Sequence, residues 1–421
     1  MILVPFIYFT FLTLYWWKKH KGVDVCVYMS GLYAFTSLCA VIIFFQGYLD
    51  DGGILFDEMD IELNIIPTLV FIIILTLSIL PFSLIYAKEI HTIQDHSPFC
   101  LDMLCWLLIG ISFLNLYLVA DSTLDILGGD LEAVRAAHYE GILSPAQLKA
   151  DKMPAIFKYL YYLNTSTLLA LPLFFYYICT PNKKKWWFKL LVLFSSFSVP
   201  IYGIQAADRT EIMFYFLMLI YCFVFFQKMI SKKFKRYALF FGTPIILLAI
   251  VYMVAVTQAR FEDRGEGSLA SATEYAGQGY LNFCFFWEHQ NTDEIATERE
   301  FPLINHVLFK IDSNPERRAE RSGKQGFFIS VFPTFAGDLL LDLGLAGASI
   351  WICFFFITGM LIIKSAHRED FFIGEVLLIF IMAAIPLFGV FYYRYFWFTY
   401  TLMIIIAVCI YFLSSKRFRL L

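Results

Sequence analysis

Residues 237–267 read YALFFGTPIILLAIVYMVAVTQARFEDRGEG, an uncharged apolar run that ends in a stretch crowded with charges. The run at 237–257 has the ~20 residues that a helix needs to cross a bilayer core. The interval that follows, 258–333, is polar and contains several arginines and glycines. This pairing predicts a membrane-embedded protein with a large loop after this span.

The composition of the whole chain supports the same class. Apolar residues make up 60% of the chain, aromatic residues 19% and charged residues only 16%, which is far from the composition of a soluble domain. Backbone amides inside lipid must be bonded within their own segment, so the apolar stretches are predicted to be helices. We therefore expect an all-α, polytopic membrane protein that forms a single integral-membrane domain over 1–421. Its eleven predicted spans are 1–17, 25–48, 64–86, 99–119, 157–179, 187–205, 211–227, 237–257, 334–363, 372–391 and 396–413.

Lysine and arginine alternate between the two sides of this predicted topology. Basic residues in short loops are retained on the cytoplasmic side. Every second connection carries a basic cluster, at 18–21, 88, 183–185, 228–236, 364–368 and 416–419. The N-terminus is therefore expected outside and the C-terminus in the cytoplasm, with 120–156 and 258–333 as external loops.

Both external loops contain helix-start signals. Ser144-Pro145-Ala146-Gln147 has the pattern of a capping box with proline at the first helical position, which predicts a short helix there. A merely connecting helix that lies on the bilayer would have the same pattern. Ser271 and Glu274 form another capping box, which predicts a helix from about Thr273 that dips back toward the membrane along 283–287. Acidic residues outnumber basic ones in 258–333, so this loop is not expected to bind nucleic acid.

The cysteines give no sign of a metal site. Of the nine cysteines, only Cys284 lies in a predicted external connection, and no Cys-x-x-Cys or Cys/His spacing suggests zinc. We expect neither a metal nor a cofactor.

Four arginines lie at the predicted external ends of spans: Arg209, Arg260, Arg264 and Arg394. The planar guanidinium group binds phosphate oxygens through two parallel hydrogen bonds and stays charged at ordinary pH. Arginines at helix ends also reach toward lipid headgroups without any further role. Their joint placement on one side favours a common anionic ligand, because basic residues are scarce in short external connections.

The ninth predicted span opens with Pro333-Thr334-Phe335-Ala336-Gly337-Asp338, and Asp342 follows four residues later. This spacing places both carboxylates on one helical face. They are candidates to orient or deprotonate a hydroxyl beside a bound phosphate, although carboxylates in the first turns of a helix also complement its dipole. His289 is an alternative base with a suitable intrinsic pKa, but a loop histidine is more often simply solvated.

These features resemble those of the bacterial O-antigen or oligosaccharide repeat-unit polymerases. The resemblance lies in the eleven-span topology, the Asp208-Arg209-Thr210 turn, the arginine-led external loop, Pro333-Thr334-Phe335-x-Gly337, and Leu341-Asp342-Leu343-Gly344-x-x-Gly347. It implies a metal-independent, inverting glycosyltransferase of the bacterial inner membrane that joins oligosaccharide repeat units carried on undecaprenyl pyrophosphate. A chain-length regulator protein is a further candidate partner.

The resemblance also suggests roles for the candidate residues. Arg209, Arg260 and Arg264 are expected to stabilise the departing pyrophosphate, with Asp338 or His289 as the base. Arg394, Thr334, Asp342, Asn282 and Tyr280 are expected to bind substrate. Aromatic rings such as Tyr280 stack on sugars, although interfacial anchoring accounts for them equally well.

Two alternatives belong to other classes. An O-antigen ligase is similar in topology, but ligases have a His-Asn pair near the start of the corresponding span, where this chain has Pro333-Thr334-Phe335. A lipid-linked oligosaccharide flippase or other transporter would also be polytopic. Transporters usually contain paired repeats and charged groups near mid-membrane, and neither is obvious here.

Overall fold

The computed structural model describes residues 1–46, 63–95, 97–128, 145–180, 183–205, 209–261, 268–291, 301–310, 315–329, 331–365 and 370–414. Nearly all of the described residues are helical, as the sequence predicts. The described residues also contain a short parallel pair of strands, β1 (Thr92–Gln94) and β2 (Asp370–Phe372), in which Ile93 is the partner of Phe371.

The helices follow the apolar pattern closely. Their bounds are α1 Leu3–His20, α2 Val25–Gln46, α3 Ile65–Ile79, α4 Pro98–Gly128, α5 Pro145–Asp151, α6 Ala155–Tyr162, α7 Ala170–Cys179, α8 Trp186–Ser196, α9 Ser198–Gln205, α10 Arg209–Phe225, α11 Lys232–Phe261, α12 Ser268–His289, α13 Pro315–Gln325, α14 Thr334–Ser365, α15 Ile373–Phe388 and α16 Phe398–Ser414. Short 3-10 segments occupy Leu80–Leu84, Asn164–Leu169 and Arg394–Phe396.

Six of the described helical stretches are long and apolar enough to cross a membrane. They are Val25–Gln46, Ile65–Leu84, Pro98–Ala120, Trp186–Ile204, Lys232–Val254 and Thr334–Lys364. A seventh is obtained if α6 and the stretch Asn164–Cys179, which meet at 53°, form one bent span. The protein is therefore a helical membrane protein. The apolar helices α15 and α16 are shorter than these six stretches. The count of eleven spans stays a prediction.

The chain divides into two compact units. The first contains Met1–Tyr86, Leu269–Ser365 and Met382–Thr401, and the second contains Ala87–Ser268, Ala366–Ile381 and Leu402–Leu421. In the first unit, α1 and α2 run antiparallel, with Phe9 against Tyr33 and Thr13 bonded to Ser30. In the second unit, α4 packs against α8 and α9.

Helix α14 is broken at Gly344. This residue has φ 64° and ψ 177°, a conformation that is open essentially to glycine alone. The break divides α14 into a first segment from Thr334 to Leu343 and a second from Leu345 onward. A helix end inside the bundle leaves carbonyl groups without their usual partners, so the first segment needs another donor at its C-terminal end.

Gly344→Ala is expected to destabilise the protein by about 1–3 kcal/mol, because the Cβ of alanine clashes with the backbone at the positive φ of this residue. Gly110→Ala in α4 is the matched control, since no atom lies within 4 Å of an ideal Cβ there. Thermal unfolding in detergent checks both variants. Equal midpoints for the two variants would show that the break at Gly344 is not required.

Candidate functional site

The candidate site lies at one end of the first unit, where α2 ends and α3 and α14 begin. Helix α12 packs across this end. An ideal Cβ on Gly277 would lie 2.5 Å from the Ala40 backbone nitrogen of α2, so only glycine permits this approach. At the next turn, the Tyr280 hydroxyl lies 2.7 Å from Thr68 Oγ1 of α3. Residues of the predicted external loop are therefore part of the helical core of this unit.

The start of α12 differs from the prediction. The helix was expected to begin near Thr273, but it begins at Ser268. Ser271, which was expected to cap the helix, lies inside it and is fully buried. The helix therefore starts five residues before the predicted position, and the capping signal at Ser271 does not mark its first turn.

Thr334 begins α14 in a strained conformation. Its φ is 65°, which is an outlier for a β-branched residue. Two backbone bonds hold this turn against the end of α15, from the Thr334 amide to Phe391 O and from the Phe335 amide to Gly389 O, both at 2.9 Å. Thr334 is buried, and its Oγ1 has no hydrogen-bond partner among the residues that the structure describes. Strain of this kind concentrates at functional sites.

Thr334→Gly is expected to melt at the same temperature as the parent protein or above it. Glycine relieves strain of about 1–3 kcal/mol, which offsets its greater loss of backbone entropy. The same change at Thr36, inside α2, removes no strain and should lower the midpoint. If Thr334→Gly melts as far below the parent as Thr36→Gly does, the strained conformation does not cost stability.

Asn282 joins α12 to the turn before α14. Its Nδ2 group donates to Phe332 O and to Gln278 Oε1, each at 3.2 Å. Its Oδ1 atom is buried and has no hydrogen-bond partner within the described part of the chain. The unpartnered oxygens of Asn282 and Thr334 thus belong to residues that meet at this turn, and both were predicted to bind substrate. The predicted role of Tyr280 is less compatible with its surroundings, because its ring packs on Phe71 and is buried.

Asp338 and Asp342 are both fully buried on α14. Asp338 Oδ2 accepts a hydrogen bond from the Tyr393 amide at 2.6 Å, which ties α14 to the segment between α15 and α16. Asp342 forms an ion pair with Arg321 of α13. Each carboxylate therefore has a definite structural partner.

Arg321 is the main residue that the sequence did not single out. It lies in α13, a strongly polar helix, yet only 9% of the residue is exposed. Besides Asp342, its guanidinium group donates to Leu341 O at 3.0 Å. Leu341 lies just before the break at Gly344, so Arg321 supplies a donor and a positive charge at the C-terminal end of the first α14 segment. Nothing in the spacing of α13 distinguishes it from Arg317 and Arg318 nearby.

Arg394 is buried among aromatic rings. Its guanidinium carbon lies 5.2 Å from the ring centre of Tyr400, 5.5 Å from that of Tyr392 and 5.9 Å from that of Trp397. It also donates a hydrogen bond to the Tyr392 hydroxyl. Desolvated contacts of this kind stabilise the cation by about 2 kcal/mol or more. The charge of Arg394 is thus held in place, at 7% exposure.

Two further groups define the chemistry of this end. Burial raises the pKa of Tyr395, so its hydroxyl stays protonated and is able to donate but not to act as a base. His289 lies at the C-terminal end of α12, with its ring stacked on Phe285 at 4.4 Å and Nδ1 3.1 Å from Phe285 O. No three His, Cys, Asp or Glu side chains come together within the described ranges.

The predicted arginines do not all belong to this unit. Arg209 is the first residue of α10 and is half-buried, and Arg260 lies in the last turn of α11; both helices belong to the second unit. Arg264 lies outside the described residues, and so does Asp208, which precedes Arg209 in the predicted turn. Arg394, Asp338, Asp342, Thr334, Asn282, Tyr280 and His289 all belong to the first unit.

The structure defines a class of protein: a helical membrane protein with charged and polar side chains buried at one end of a helical unit. No protein-family model, curated protein or solved structure matches this chain.

Proposed function

We propose that this protein is a membrane glycosyltransferase that polymerises oligosaccharide repeat units carried on undecaprenyl pyrophosphate. The observation that carries the proposal is the permanent charge of Arg394, which is held almost without solvent at one end of an apolar helical unit. Ionisable residues are expensive within a membrane protein and usually mark substrate sites. Buried Asp338 and the unpartnered oxygens of Asn282 and Thr334 belong to the same unit.

The proposed reaction exchanges one bond for another at the anomeric carbon. A hydroxyl group of the acceptor repeat unit attacks this carbon from the face opposite the pyrophosphate, so the configuration inverts. The bond to the pyrophosphate oxygen breaks, and the hydroxyl proton passes to a carboxylate or imidazole, with Asp338 and His289 as the candidates. The lipid pyrophosphate leaves with a developing negative charge that fixed arginines stabilise without a metal. Arg209, Arg260, Arg264 and Arg394 are the arginines in this proposal.

The proposal places this chemistry on the external side of a bacterial inner membrane. The eleven spans follow from the apolar stretches, and the external N-terminus and cytoplasmic C-terminus follow from the alternation of basic residues. One contact within the second unit agrees with that topology. Lys184, just before α8, pairs with Asp102 in the first turns of α4, so both helices start on the same side. The topology assigns both of these ends to the cytoplasm.

A transporter of lipid-linked oligosaccharide is the second candidate, and one specific observation favours it. Transporters often build their sites from discontinuous helices. Helix α14 is broken at Gly344, and the helical stretch Ala155–Cys179 bends by 53°. A broken helix also serves an enzyme that must expose backbone groups inside the membrane, so the two candidates need a functional test.

Surface glycan from a strain that lacks this gene separates the two candidates. Loss of a polymerase leaves a single repeat unit on each surface anchor, because export continues without elongation. Loss of a transporter leaves anchors with no repeat unit at all. Mass spectrometry of the released glycan measures the number of repeats per anchor. Anchors with normal chain lengths would overturn both candidates.

A further inference from the structure

The second unit contains a buried group of uncharged polar side chains that the proposed function does not use. Helix α4 contributes Ser112 and Asn115, the 3-10 segment Asn164–Leu169 contributes Asn164 and Ser166, and α9 contributes Ser198. None of the five is more than 8% exposed. The segment Asn164–Leu169 packs on both α4 and α9, which also pack on each other.

Contacts along α4 and α8 place Ser198 level with Asn115. The two helices run in the same direction, and their contacts advance in step: Asp102 with Lys184, Trp106 with Phe188, and Phe113 with Phe194. Ser198 lies one turn beyond Phe194, and Asn115 lies half a turn beyond Phe113. At 1.5 Å per helical residue, the two side chains differ in height by only a few ångströms.

Contacts on both sides of the segment Asn164–Leu169 place Ser166 at the same height. Tyr177 contacts Cys105 of α4 at 3.8 Å, and Tyr161 packs in a cluster with Leu118 of α4. Ser166 lies between Tyr161 and Tyr177 in the chain, so it is level with the part of α4 that carries Ser112 and Asn115. The five polar side chains therefore form one layer across the second unit.

Several oxygens of this layer lack a partner. Ser112 Oγ, Asn115 Oδ1 and Ser166 Oγ are buried without a hydrogen bond to any residue that the structure describes. Asn115 uses only its Nδ2 group, which donates to Ile111 O at 2.9 Å. Asn164 Oδ1 already accepts a hydrogen bond from Ser198 Oγ. Leaving three such groups unsatisfied would be costly in an apolar interior, which points to a bound species.

The bend in the chain gives this layer a negative bias. Helix α6 ends at Tyr162, and the chain turns by 53° into the segment that carries Asn164 and Ser166. The C-terminal end of a helix carries a partial negative charge, although the last carbonyl groups of α6 accept the Leu163 amide. In transporters, the C-terminal ends of broken helices bind cations in this way.

We propose that this layer is a binding site for an alkali-metal cation. Hydroxyl and amide oxygens are ligands for a hard cation of low charge, and the helix C-terminus nearby adds a partial negative charge. A divalent cation in a buried site would require carboxylates, and none of the five side chains carries one. The site is independent of the proposed glycosyl transfer.

The test is thermal unfolding of the detergent-purified protein in NaCl, KCl or choline chloride at equal ionic strength. A bound cation stabilises the folded state by mass action. We expect a saturable rise of the midpoint in NaCl or KCl over choline chloride by about 2 °C or more. The salt that gives the rise identifies the cation.

Asn115→Leu and Ser166→Ala are expected to remove this rise. In choline chloride, Asn115→Leu should melt no lower than the parent, because a buried acceptor without a partner has been removed. The matched control is Ser78→Ala in α3, whose Oγ is equally buried but bonded to Leu75 O at 2.7 Å. It should keep the full salt response. Identical midpoints of the parent protein in the three salts would overturn the proposal and leave a bridging water as the partner of the buried oxygens. A rise that survives both site variants would also overturn it, because the cation would then bind elsewhere.

Discussion

Arg209→Ala and Arg260→Ala are each expected to lower the rate of glycan elongation about a hundredfold or more while the protein remains folded in the membrane. Removing one fixed donor from a developing negative charge typically has an effect of this size. Arginine binds a phosphate group through two parallel hydrogen bonds and lysine acts only as a point charge, so lysine should restore the activity only in part. The rate is measured as product length over time with a defined lipid-linked repeat unit.

The control for these variants is Arg236→Ala. Arg236 lies in α11, the same helix as Arg260, but near its other end, and is exposed. Its loss should leave elongation unchanged. Full chain growth by both Arg209→Ala and Arg260→Ala would show that these arginines do not stabilise the leaving group.

Arg321→Ala is expected to destabilise the protein by about 3–5 kcal/mol. The change removes the ion-pair partner of Asp342, whose exposure is 0%, and it removes the donor to Leu341 O. Replacement of the whole pair, as Arg321→Met with Asp342→Leu, should recover most of this loss, because apolar side chains of similar size need no partner. Denaturant unfolding in detergent measures the free energy for each variant.

An exposed ion pair on the same helix is the control for Arg321. Lys324 Nζ lies 3.0 Å from Glu320 Oε1 in α13, and the two side chains are 50% and 62% exposed. Lys324→Ala should change stability little, because exposed pairs contribute little. If Arg321→Ala and Lys324→Ala unfold alike, the buried pair does not hold α13 to α14.

Much of the fold could be predicted because it depends on apolar runs. Hydropathy identified the helices, and the four-residue spacing placed Asp338 and Asp342 on one face. The partner of Asp342 could not be identified from spacing, since Arg321 reaches it only through the tertiary fold. The strained φ of Thr334 has no signature in the sequence, and the close approach of Gly277 to α2 was not predicted either.

Other features were missed for local reasons. The span predicted at 157–179 was expected to be a single helix, but it contains a 3-10 segment and bends. The polar sequence Asn164-Thr165-Ser166-Thr167 within it was a usable signal, because such side chains compete for backbone hydrogen bonds. The strands β1 and β2 have three residues each, too few for any alternating pattern to be recognised.

The most direct test of the proposed function uses purified protein in detergent, without any sealed membrane. The substrate is a single lipid-linked repeat unit, and a chelator is present throughout. Mass spectrometry should detect glycans of two, three and more repeats, with one undecaprenyl pyrophosphate released for each new glycosidic bond. A substrate that remains a single repeat on its carrier, while the protein is folded by thermal unfolding, would contradict the assignment as a polymerase.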